Sequence, residues 1–286
     1  MSPSACPACR GSRFLEFRAR GSLRVLRCLD CSSCKLSEAN GNGGSGFAYD
    51  REYFESWNLA PGSPAWKLRE QTAALRLEVL KRLGAESGAL LDVGAAGGYL
   101  VRKANEAGFD ATGVEISDHA VAVANDVVPG MVQRGTIQTI DLEPASLDVV
   151  TLFDVLEHIP EPSEALQRLA RWLKPRGWIA VTTPDVDSLS ARWMAGLWPH
   201  YKEEHLFYPS RRGLRLLLES AGFETKYEEP AMKYLSVAFT APLFKLYPVA
   251  GITPAVDFLD RILPARLREA SFKVSIGERL LVGRKR

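Results

Sequence analysis

The chain has almost no excess charge of either sign, since 36 basic residues face 34 acidic residues and the net charge is +2. This balance gives no global electrostatic reason to expect a nucleic-acid or membrane partner, so such a partner would have to bind a local patch. The sequence also lacks an apolar run of transmembrane length. Its most hydrophobic stretch, 231–252, is interrupted by Lys233, Pro242, Lys245 and Pro248.

The N-terminal residues lack the basic-then-apolar order of a secretory signal, so we expect a cytoplasmic protein. Cysteine is absent after residue 34. The five cysteines are Cys6, Cys9, Cys28, Cys31 and Cys34. A reducing compartment disfavours disulfides, so this confined set indicates a metal site. With 286 residues, 46% of them hydrophobic, the chain can still bury a full core.

Four of the cysteines have the spacing C-x2-C-x18-C-x2-C, which suits a tetrahedral four-thiolate zinc site. They are Cys6, Cys9, Cys28 and Cys31. Between the pairs, residues 13–28 are typical of two short strands around a turn at Gly21-Ser22, the pattern of a zinc ribbon. We expect a structural zinc that stabilises residues 1–38. The register stays open, because Cys34 can replace Cys28 or Cys31 as a ligand.

The cysteine segment is rich in basic residues, which are Arg10, Arg13, Arg18, Arg20, Arg24, Arg27 and Lys35. Only Glu16 and Asp30 oppose them over the same stretch. Two interpretations stay open. The basic residues form an RNA-binding surface, or they are solvated strand residues.

Residues 39–64 combine a glycine-rich linker with an aromatic segment. The aromatic residues are Tyr49, Tyr53, Phe54 and Trp57. They are too many for a passive tether, so we expect a lid segment that packs on the next domain and brings Tyr53 to the substrate. A helix is predicted from Trp66 to Leu83, ending at Gly84.

From residue 88 onward, strand patterns alternate with helical patterns. The predicted strands are 89–95, 111–116, 131–137, 148–153 and 178–183, and predicted helices include 99–108 and 162–174. Such alternation predicts a doubly wound α/β fold, a parallel sheet covered by helices on both faces. Ligands of such sheets bind beyond the carboxyl ends of the strands. The site should therefore lie near residues 92–98, 115–117, 136–138 and 153–158.

The first of these strand ends, 92–98, is rich in small residues that let a ligand approach the backbone closely. Glu115 ends the next strand, where a carboxylate can accept both hydroxyls of a ribose. The glycine spacing departs from G-x-G-x-x-G, and Asp92 stands where a pyrophosphate would come close. A carboxylate beside a pyrophosphate is unfavourable. It suits the ammonium and sulfonium of S-adenosylmethionine (SAM), so the pattern favours SAM over NAD.

Four stretches resemble the class I SAM-dependent methyltransferases, especially the branch that includes the ubiquinone-biosynthesis O-methyltransferases. They are LLDVGAAGGYL, TGVEIS, DVVTLFDVLEHIPEP and LKPRGWIAVTTP. The resemblance covers about residues 88–230 and implies a seven-stranded, mostly parallel Rossmann-like sheet. Several methyltransferases of this branch are also similar in carrying an N-terminal zinc-binding segment, followed by a tyrosine-rich stretch like YDREYFESW.

The resemblance also implies the cofactor-binding residues. Those around the methionine part of SAM would be Asp92, Gly94, Ala96, Gly97 and Gly98, with Ala96 standing where the family usually has glycine. Glu115 would hold the ribose, and Ile116 would pack on the adenine. Thr136 and Ile137 would border the adenine edge, although Thr136 replaces the acidic residue often found there. Phe153 would line the cofactor. For Ile116, Ile137 and Phe153, plain core packing is the alternative.

Methyl transfer needs a base only if the acceptor is a hydroxyl that loses its proton. The first candidates are Asp154, Glu157 and His158, in the pattern D-x-x-E-H. In some relatives a similar E-x-x-E-H arrangement binds a divalent metal; here Asp154 replaces the first Glu. Three roles stay open for this trio: base catalysis, a second divalent metal, or shaping the loop before Pro160.

A second candidate base is His205, within the aromatic segment 198–213. We expect substrate contact from Trp198, Tyr201 and Tyr208. Residues 223–230 and 278–285 are predicted strands, the latter closing the sheet in antiparallel direction. The insert between them, about 231–276 of the methyltransferase domain 65–286, caps the acceptor pocket or lies on a membrane helped by the basic end 284–286.

The sequence thus predicts a SAM-dependent methyltransferase with a zinc ribbon. Its acceptor is expected to be a small molecule, a glycan or a lipid-linked molecule, methylated at oxygen. The first alternative is an RNA methyltransferase anchored by the basic ribbon. The second is a non-catalytic zinc-ribbon interaction protein, which the presence of both Asp92 and Glu115 disfavours.

Overall fold

Two larger sheets and one small one organise the chain in a computed structural model, which describes residues 5–20, 23–40, 60–246, 248–249 and 251–286. The N-terminal strands are β1 (Phe14–Arg18), β2 (Arg24–Cys28) and β3 (Cys34–Leu36). They form successive antiparallel pairs. The predicted turn at Gly21-Ser22 and the aromatic segment with Tyr53 lie outside the described residues.

The largest sheet has seven strands in the order β10-β13-β8-β7-β4-β5-β6. Its strands are β4 (Gly88–Val93), β5 (Phe109–Glu115), β6 (Val132–Arg134), β7 (Leu147–Phe153), β8 (Leu173–Pro184), β10 (Phe223–Pro230) and β13 (Glu278–Lys285). Only β13 runs antiparallel to its neighbours. The mostly parallel α/β fold predicted from the sequence is therefore confirmed, as is the antiparallel closing strand.

Helices cover this sheet and fill the C-terminal insert. They are α1 (Pro64–Arg82), α2 (Tyr99–Glu106), α3 (Asp118–Val127), α4 (Pro162–Trp172), α5 (Leu189–Met194), α6 (Arg211–Ser220), α7 (Val237–Leu246), α8 (Ile252–Ile262) and α9 (Ala265–Arg268). Serine caps begin several of them: the Ser63 hydroxyl accepts the Trp66 amide at 3.1 Å, and Ser210 accepts that of Gly213 at 2.9 Å. None of the described helices is long and apolar enough to cross a membrane.

Some boundaries differ from the sequence prediction. The strand predicted at 131–137 is only β6, because Thr139 accepts the Thr136 amide through its hydroxyl at 2.8 Å and turns the chain. In contrast, β8 begins five residues earlier than predicted, directly after α4, and Leu173 pairs with Leu147. Side-chain turns and strand pairing, rather than hydrophobic pattern, set these ends.

The N-terminal strands do not form a sheet by themselves. Strand β9 (Phe207–Tyr208) completes a four-stranded sheet in the order β1-β2-β3-β9, with Cys34 opposite Tyr208 and Lys35 opposite Phe207. The Leu36 amide also donates to the Leu206 carbonyl at 3.0 Å. We call this the ribbon sheet. Its cysteine end shares a hydrophobic core with α6 and the seven-stranded sheet.

The insert is closed at its base by a two-stranded sheet of β11 (Lys233–Leu235) and β12 (Phe272–Val274), with α7, α8 and α9 between them. The Tyr234 amide donates to the Thr72 hydroxyl of α1 at 2.9 Å, which ties this sheet to the main domain. The basic end 284–286 does not reach the insert. Arg284 pairs with Trp178 near the start of β8, whereas Glu278, beside the insert, pairs with Pro184 at its end. The basic end and the insert therefore lie at opposite ends of β13, and the expected help of this basic end at a membrane stays a prediction.

Candidate functional site

The turn after β4 combines small residues with left-handed backbone. Gly94 and Gly98 have φ of +74° and +79°, and a Cβ on Gly94 would collide with Val155. A Cβ on Gly97 would lie 2.9 Å from the Trp66 ring. Ala96, which replaces the family glycine, has φ of +47°. An alanine in this region costs on the order of 1 kcal/mol, so the turn is strained at that position.

Two buried carboxylates lie at the ends of β4 and β5. Asp92 accepts the Thr151 hydroxyl at 2.6 Å, and burial raises its pKa to about 7. Glu115 accepts the backbone amides of Ala96 at 2.9 Å and Ser117 at 3.0 Å, while burial raises its pKa. Glu115 therefore ties together the turns after β4 and β5. A carboxylate has about four acceptor sites, so two stay available for ribose hydroxyls, and the residues fit SAM.

The residues predicted to line the adenine differ in their exposure. Ile116 is 48% exposed, directly after the end of β5. Ile137 is buried in the core with Val114. Thr136 is half-buried in the turn that ends β6, and Phe153 lies beneath the Arg76 guanidinium at 4.6 Å. Of these residues, Ile116 has the exposure expected for a side chain that packs on a ligand.

Asp154, at the end of β7, lies in an ion-pair network rather than with Glu157 and His158. Its carboxylate accepts the Thr182 hydroxyl at 2.8 Å and lies 3.3 Å from Arg76 and 3.6 Å from Lys233. Burial opposes its ionisation, but Lys233 and Arg76 hold the pKa of this carboxyl well below its usual value. Its φ of +61° shows that the chain turns sharply here. Asp154 is therefore a paired carboxylate.

The partners of Asp154 come from distant parts of the chain and were missed by sequence reasoning. Arg76 belongs to α1 and Lys233 to β11, and Lys233 also pairs with buried Glu278 of β13 at 2.5 Å. No motif marks these residues. The one available signal was Lys233, a charge within an otherwise apolar stretch.

Glu157, His158 and His205 form a compact cluster, with one ligand atom from each lying within 4.8 Å of the others. The two imidazole rings are nearly perpendicular, with centroids 4.7 Å apart. Burial and the charge of Asp154 raise the pKa of Glu157, whose Oε2 has no hydrogen-bond partner within the described residues. The structure therefore joins the two separately predicted bases. Of the expected trio of Asp154, Glu157 and His158, the structure groups Glu157 and His158 with His205 rather than with Asp154, and metal binding there stays a prediction.

Hydrogen bonds determine how this cluster can act. The His158 Nδ1 lies 2.9 Å from the Glu204 carbonyl oxygen, so Nδ1 carries the hydrogen and Nε2 keeps a lone pair. Burial lowers the pKa of His158 to about 4 and that of nearby His200 to about 3. His205, 6% exposed, also has a lowered pKa because of burial. All three rings are thus neutral near pH 7 and can accept a proton or bind a metal.

The aromatic residues of 198–213 are buried behind His205. Trp198 and Tyr208 are fully buried and Tyr201 nearly so. The Tyr208 hydroxyl donates to the Lys202 carbonyl at 3.0 Å, and Tyr201 packs edge-on against Phe17 of the ribbon sheet. These rings support the loop that carries His205. Substrate contact by them stays a prediction, as does that of Tyr53, outside the described residues.

The predicted zinc ligands are brought together at one end of the ribbon sheet. The sulfurs of Cys6, Cys9, Cys28 and Cys31 all lie within 4.8 Å of one another. Two sulfur pairs are 3.6 and 3.5 Å apart, close to the edge of about 3.8 Å expected for a tetrahedron with Zn–S bonds of about 2.3 Å. The four thiols therefore fit a tetrahedral zinc ion.

The backbone resolves the open register. In each cysteine pair the residue four positions after the first cysteine has a positive φ, 59° for Arg10 and 66° for Ser32, and donates its amide to the carbonyl of that cysteine. Cys34 lies outside the four-sulfur group. Burial raises the pKa of its thiol to about 12. Cys28 and Cys31 thus form the second knuckle.

Comparison with known proteins identifies the family of the main domain. A family model described as Methyltransferase domain matches residues 66–228, more than half of the chain. The ubiquinone biosynthesis O-methyltransferase of Albidiferax ferrireducens is 33% identical over 121 residues, 40% of this chain and 48% of the relative. That of Bordetella avium is 27% identical over 202 residues, 65% of this chain and 80% of the relative. The chain therefore spans only about half the length of the first relative.

Solved structures show the same fold. The PH0226 protein from Pyrococcus horikoshii covers 84% of this chain and 100% of its own, with a TM-score of 0.55 and 16% identity. A SAM-dependent methyltransferase from Thermotoga maritima covers 82% of this chain and 95% of its own, with a TM-score of 0.52 and 17% identity. Together with the family match, these likenesses show that the chain belongs to the class I SAM-dependent methyltransferases.

Proposed function

We propose that the protein transfers the methyl group of SAM to an oxygen atom of a small-molecule, glycan or lipid-linked acceptor. The observation that carries this proposal is the cluster of Glu157 with the neutral imidazoles of His158 and His205 near the carboxyl edge of the sheet. A hydroxyl acceptor must lose its proton, and this cluster offers a lone pair to receive it. The names of the curated relatives, ubiquinone biosynthesis O-methyltransferases, support transfer to oxygen.

The residues on the cofactor side would bind SAM and orient it. When bound, SAM supplies an electrophilic methyl group on a sulfonium. Glu115 would accept the ribose hydroxyls, and the turn around Gly94 and Gly98 would let the methionine part approach the backbone. An ammonium beside Asp92 would favour its carboxylate form, whose pKa burial otherwise raises to about 7. Orientation and exclusion of water then account for most of the acceleration.

On the acceptor side, His158 is the residue best prepared to take a proton. Its Nδ1–H donates to the Glu204 carbonyl, which fixes the ring and leaves Nε2 as the acceptor atom. His205 packs edge-on against the same ring and restricts its rotation. The paired Asp154 keeps its negative charge and would stabilise the imidazolium that forms.

The same cluster supports a second candidate role, binding of a divalent metal. Glu157, His158 and His205 supply one carboxylate and two imidazoles, a donor set that suits zinc and other transition metals. The Glu157 Oε2, without a hydrogen-bond partner in the described part of the chain, favours this role. A metal there would lower the pKa of an acceptor hydroxyl. The cluster would then serve as ligands, with His158 Nε2 on the metal.

We also propose that Cys6, Cys9, Cys28 and Cys31 bind a structural zinc. Its role would be mechanical, because β3 follows the second knuckle and hydrogen-bonds to the chain at Leu206. The Leu206 amide in turn donates to the Glu157 carbonyl at 2.8 Å. The ribbon sheet thus braces the acceptor cluster.

The basic residues of the ribbon sheet are partly neutralised, since Arg13 pairs with Asp30 and Arg24 lies 3.9 Å from Glu16.

The acceptor class can be tested by transferring labelled methyl from SAM into a cell extract and separating RNA, protein, lipid and small-metabolite or glycan fractions. Label in the lipid, metabolite or glycan fraction supports the proposal. Label in RNA that is lost on nuclease treatment contradicts it and makes the basic ribbon the recognition module.

The base is tested by His158→Asn and His205→Asn, with His119→Asn on α3 as the matched control. General base catalysis contributes on the order of a hundredfold or more, so we expect losses of that size at neutral pH for His158→Asn and none for the control. A pH–rate profile distinguishes the roles. An unchanged rate in the double variant of His158 and His205 would exclude histidine catalysis. Rate loss that added Mn²⁺ or Zn²⁺ reverses in His205→Asn would favour the metal role.

A further inference from the structure

Helix α8 presents its apolar face to solvent. Phe258, Leu259 and Ile262 are 61%, 40% and 56% exposed, and Ala255, one turn before Phe258, is exposed as well. Their spacing of three, four and seven residues is the stripe that normally faces the core of a globular protein. None of the residues of α8 is buried.

Charged side chains hold the other face of α8 inward. Asp257 lies 3.8 Å from Lys245 of α7, and Asp260 lies 3.7 Å from Arg268 of α9. Both aspartates are only partly exposed, at 24% and 26% of their side chains. The two aspartates and the half-buried Ile252 and Val256 therefore face the neighbouring elements, while the large side chains Phe258 and Ile262 face outward.

Two more large apolar side chains are exposed in the elements that follow α8. Leu267 of α9 and Phe272 of β12 are 56% and 44% exposed. We call the surface formed by residues 255–273 the insert face. Large apolar side chains exposed together in one short insert are typical of an interaction site.

Basic residues accompany the insert face. Arg261, Arg266 and Lys273 are exposed and make no ion pair with any residue that the structure describes. Glu269 is the acidic residue beside them. A helix with exposed large apolar side chains and flanking arginines has the composition of a segment that lies in a membrane interface.

Charge decides between two ways of covering this face. In a symmetric dimer the same patch meets itself, so Arg261, Arg266 and Lys273 would approach their own copies and repel. An anionic lipid surface supplies opposite charge and an apolar layer together. We propose that the insert face docks the protein peripherally on an anionic membrane surface, with Phe258 and Ile262 entering the interface. This docking goes beyond the proposed methyl transfer and does not depend on it.

The test is flotation of the full chain with phosphatidylcholine vesicles that contain or lack phosphatidylglycerol. We expect binding to the anionic vesicles, weakening as salt is raised. Phe258→Asp with Ile262→Asp should reduce this binding by at least about tenfold, because each change removes apolar burial and adds repulsion. Leu15→Asp is the matched control, since Leu15 is 59% exposed on the ribbon sheet. It should bind as the unmodified chain does.

The electrostatic part is tested separately. Arg261→Gln, Arg266→Gln and Lys273→Gln should each weaken binding by about fivefold and flatten its salt dependence. Circular dichroism and SAM affinity, measured on every variant, show whether the fold and the methyltransferase site are intact. Failure of the unmodified chain to float with anionic vesicles would overturn the proposal, and so would equal flotation of Phe258→Asp with Ile262→Asp. Sedimentation of a dimer that this double variant dissociates, without vesicle binding, would assign the insert face to a second copy instead.

Discussion

The cofactor and acceptor sides lie along the same edge of one sheet, yet the chain builds them in different ways. The cofactor side uses two successive strand ends, with Glu115 hydrogen-bonded to Ala96 of the preceding turn. The acceptor side draws Arg76, Lys233 and His205 from three separate parts of the chain. A site made from neighbouring turns is determined by local backbone. A site made from distant segments depends on everything that positions those segments.

The largest expected effect on the acceptor side comes from substituting one of the four cysteines proposed to bind zinc. Cys28→Ser should release β3 and its pairing with β9, and thereby misplace Glu157 and His205. We expect methyl transfer to fall by at least about a hundredfold, as for displaced catalytic groups, with SAM affinity changed less than about threefold. Calorimetry with SAM and a labelled-methyl assay measure the two. Cys34→Ser, outside the four-sulfur group, is the matched control. A parallel loss of SAM affinity would show that the two sides are not independent.

The next effect concerns the ion pairs of the acceptor side. Lys233→Met leaves Asp154 and Glu278 without a shared cation, and a broken buried pair costs about 3 kcal/mol of unfolding free energy. Urea unfolding measures it. Lys174→Met is the control, because its pair with Asp148 is 45% and 33% exposed and should be worth less than about 1 kcal/mol. Equal losses in the two variants would contradict a buried network.

The two sides should also respond to pH with opposite signs. Burial raises the pKa of Asp92 from 3.8 to about 7, so its contribution to stability is lost as pH rises through that window. Burial lowers the pKa of His200 from 6.5 to about 3, so its contribution is lost as pH falls below 6.5. Between about pH 4 and 6.5 the contributions of these two groups have slopes of opposite sign, each about 1.4 kcal/mol per pH unit.

Removing either group removes its own slope from the total. Relative to the unmodified chain, the slope of stability against pH should become more positive by about 1.4 kcal/mol per pH unit in Asp92→Asn and more negative by about the same amount in His200→Asn. Urea unfolding at several pH values measures both. The same slope in both variants would mean that neither group titrates as its burial implies.

The smallest effect is expected at the strained turn. Ala96→Gly removes a side chain from a residue with φ of +47° and should stabilise the protein by about 1 kcal/mol. Ala95→Gly, at a buried neighbour whose φ is not positive, should instead destabilise it by a similar amount. Thermal unfolding compares them. Destabilisation by Ala96→Gly would show that the alanine methyl makes a contact worth more than the strain.

The features that could be predicted from the sequence are those that local backbone determines, as on the cofactor side. Strands β10 and β13 were predicted with the bounds that they have, because each carries a strand pattern of eight residues. The cofactor turn was predictable because its left-handed backbone demands small residues, as Gly94 and Gly98 show. Both features depend on a short stretch of backbone, so the sequence of that stretch is enough to reveal them.

The rest of the site could not be predicted from the sequence, because contacts between distant segments determine it. Strand β9 has two residues, too few for any periodicity, and exists because β3 offers it partners. Asp154 belongs to the same short pattern as Glu157 and His158, yet its positive φ and the cations Arg76 and Lys233 separate it from them. Spacing along the chain indicated which residues matter there, and tertiary contacts decided what they do.

The pairing of β3 with β9 also has a consequence for synthesis. About 170 residues separate the two strands, so the N-terminal strands wait for their fourth member while the whole sheet core between them is made. At ribosomal rates of 5–20 residues per second, that delay is about 10 to 35 s. The ribbon strands are therefore made well before their sheet can be completed, and zinc bound early would hold the two cysteine pairs together through the interval.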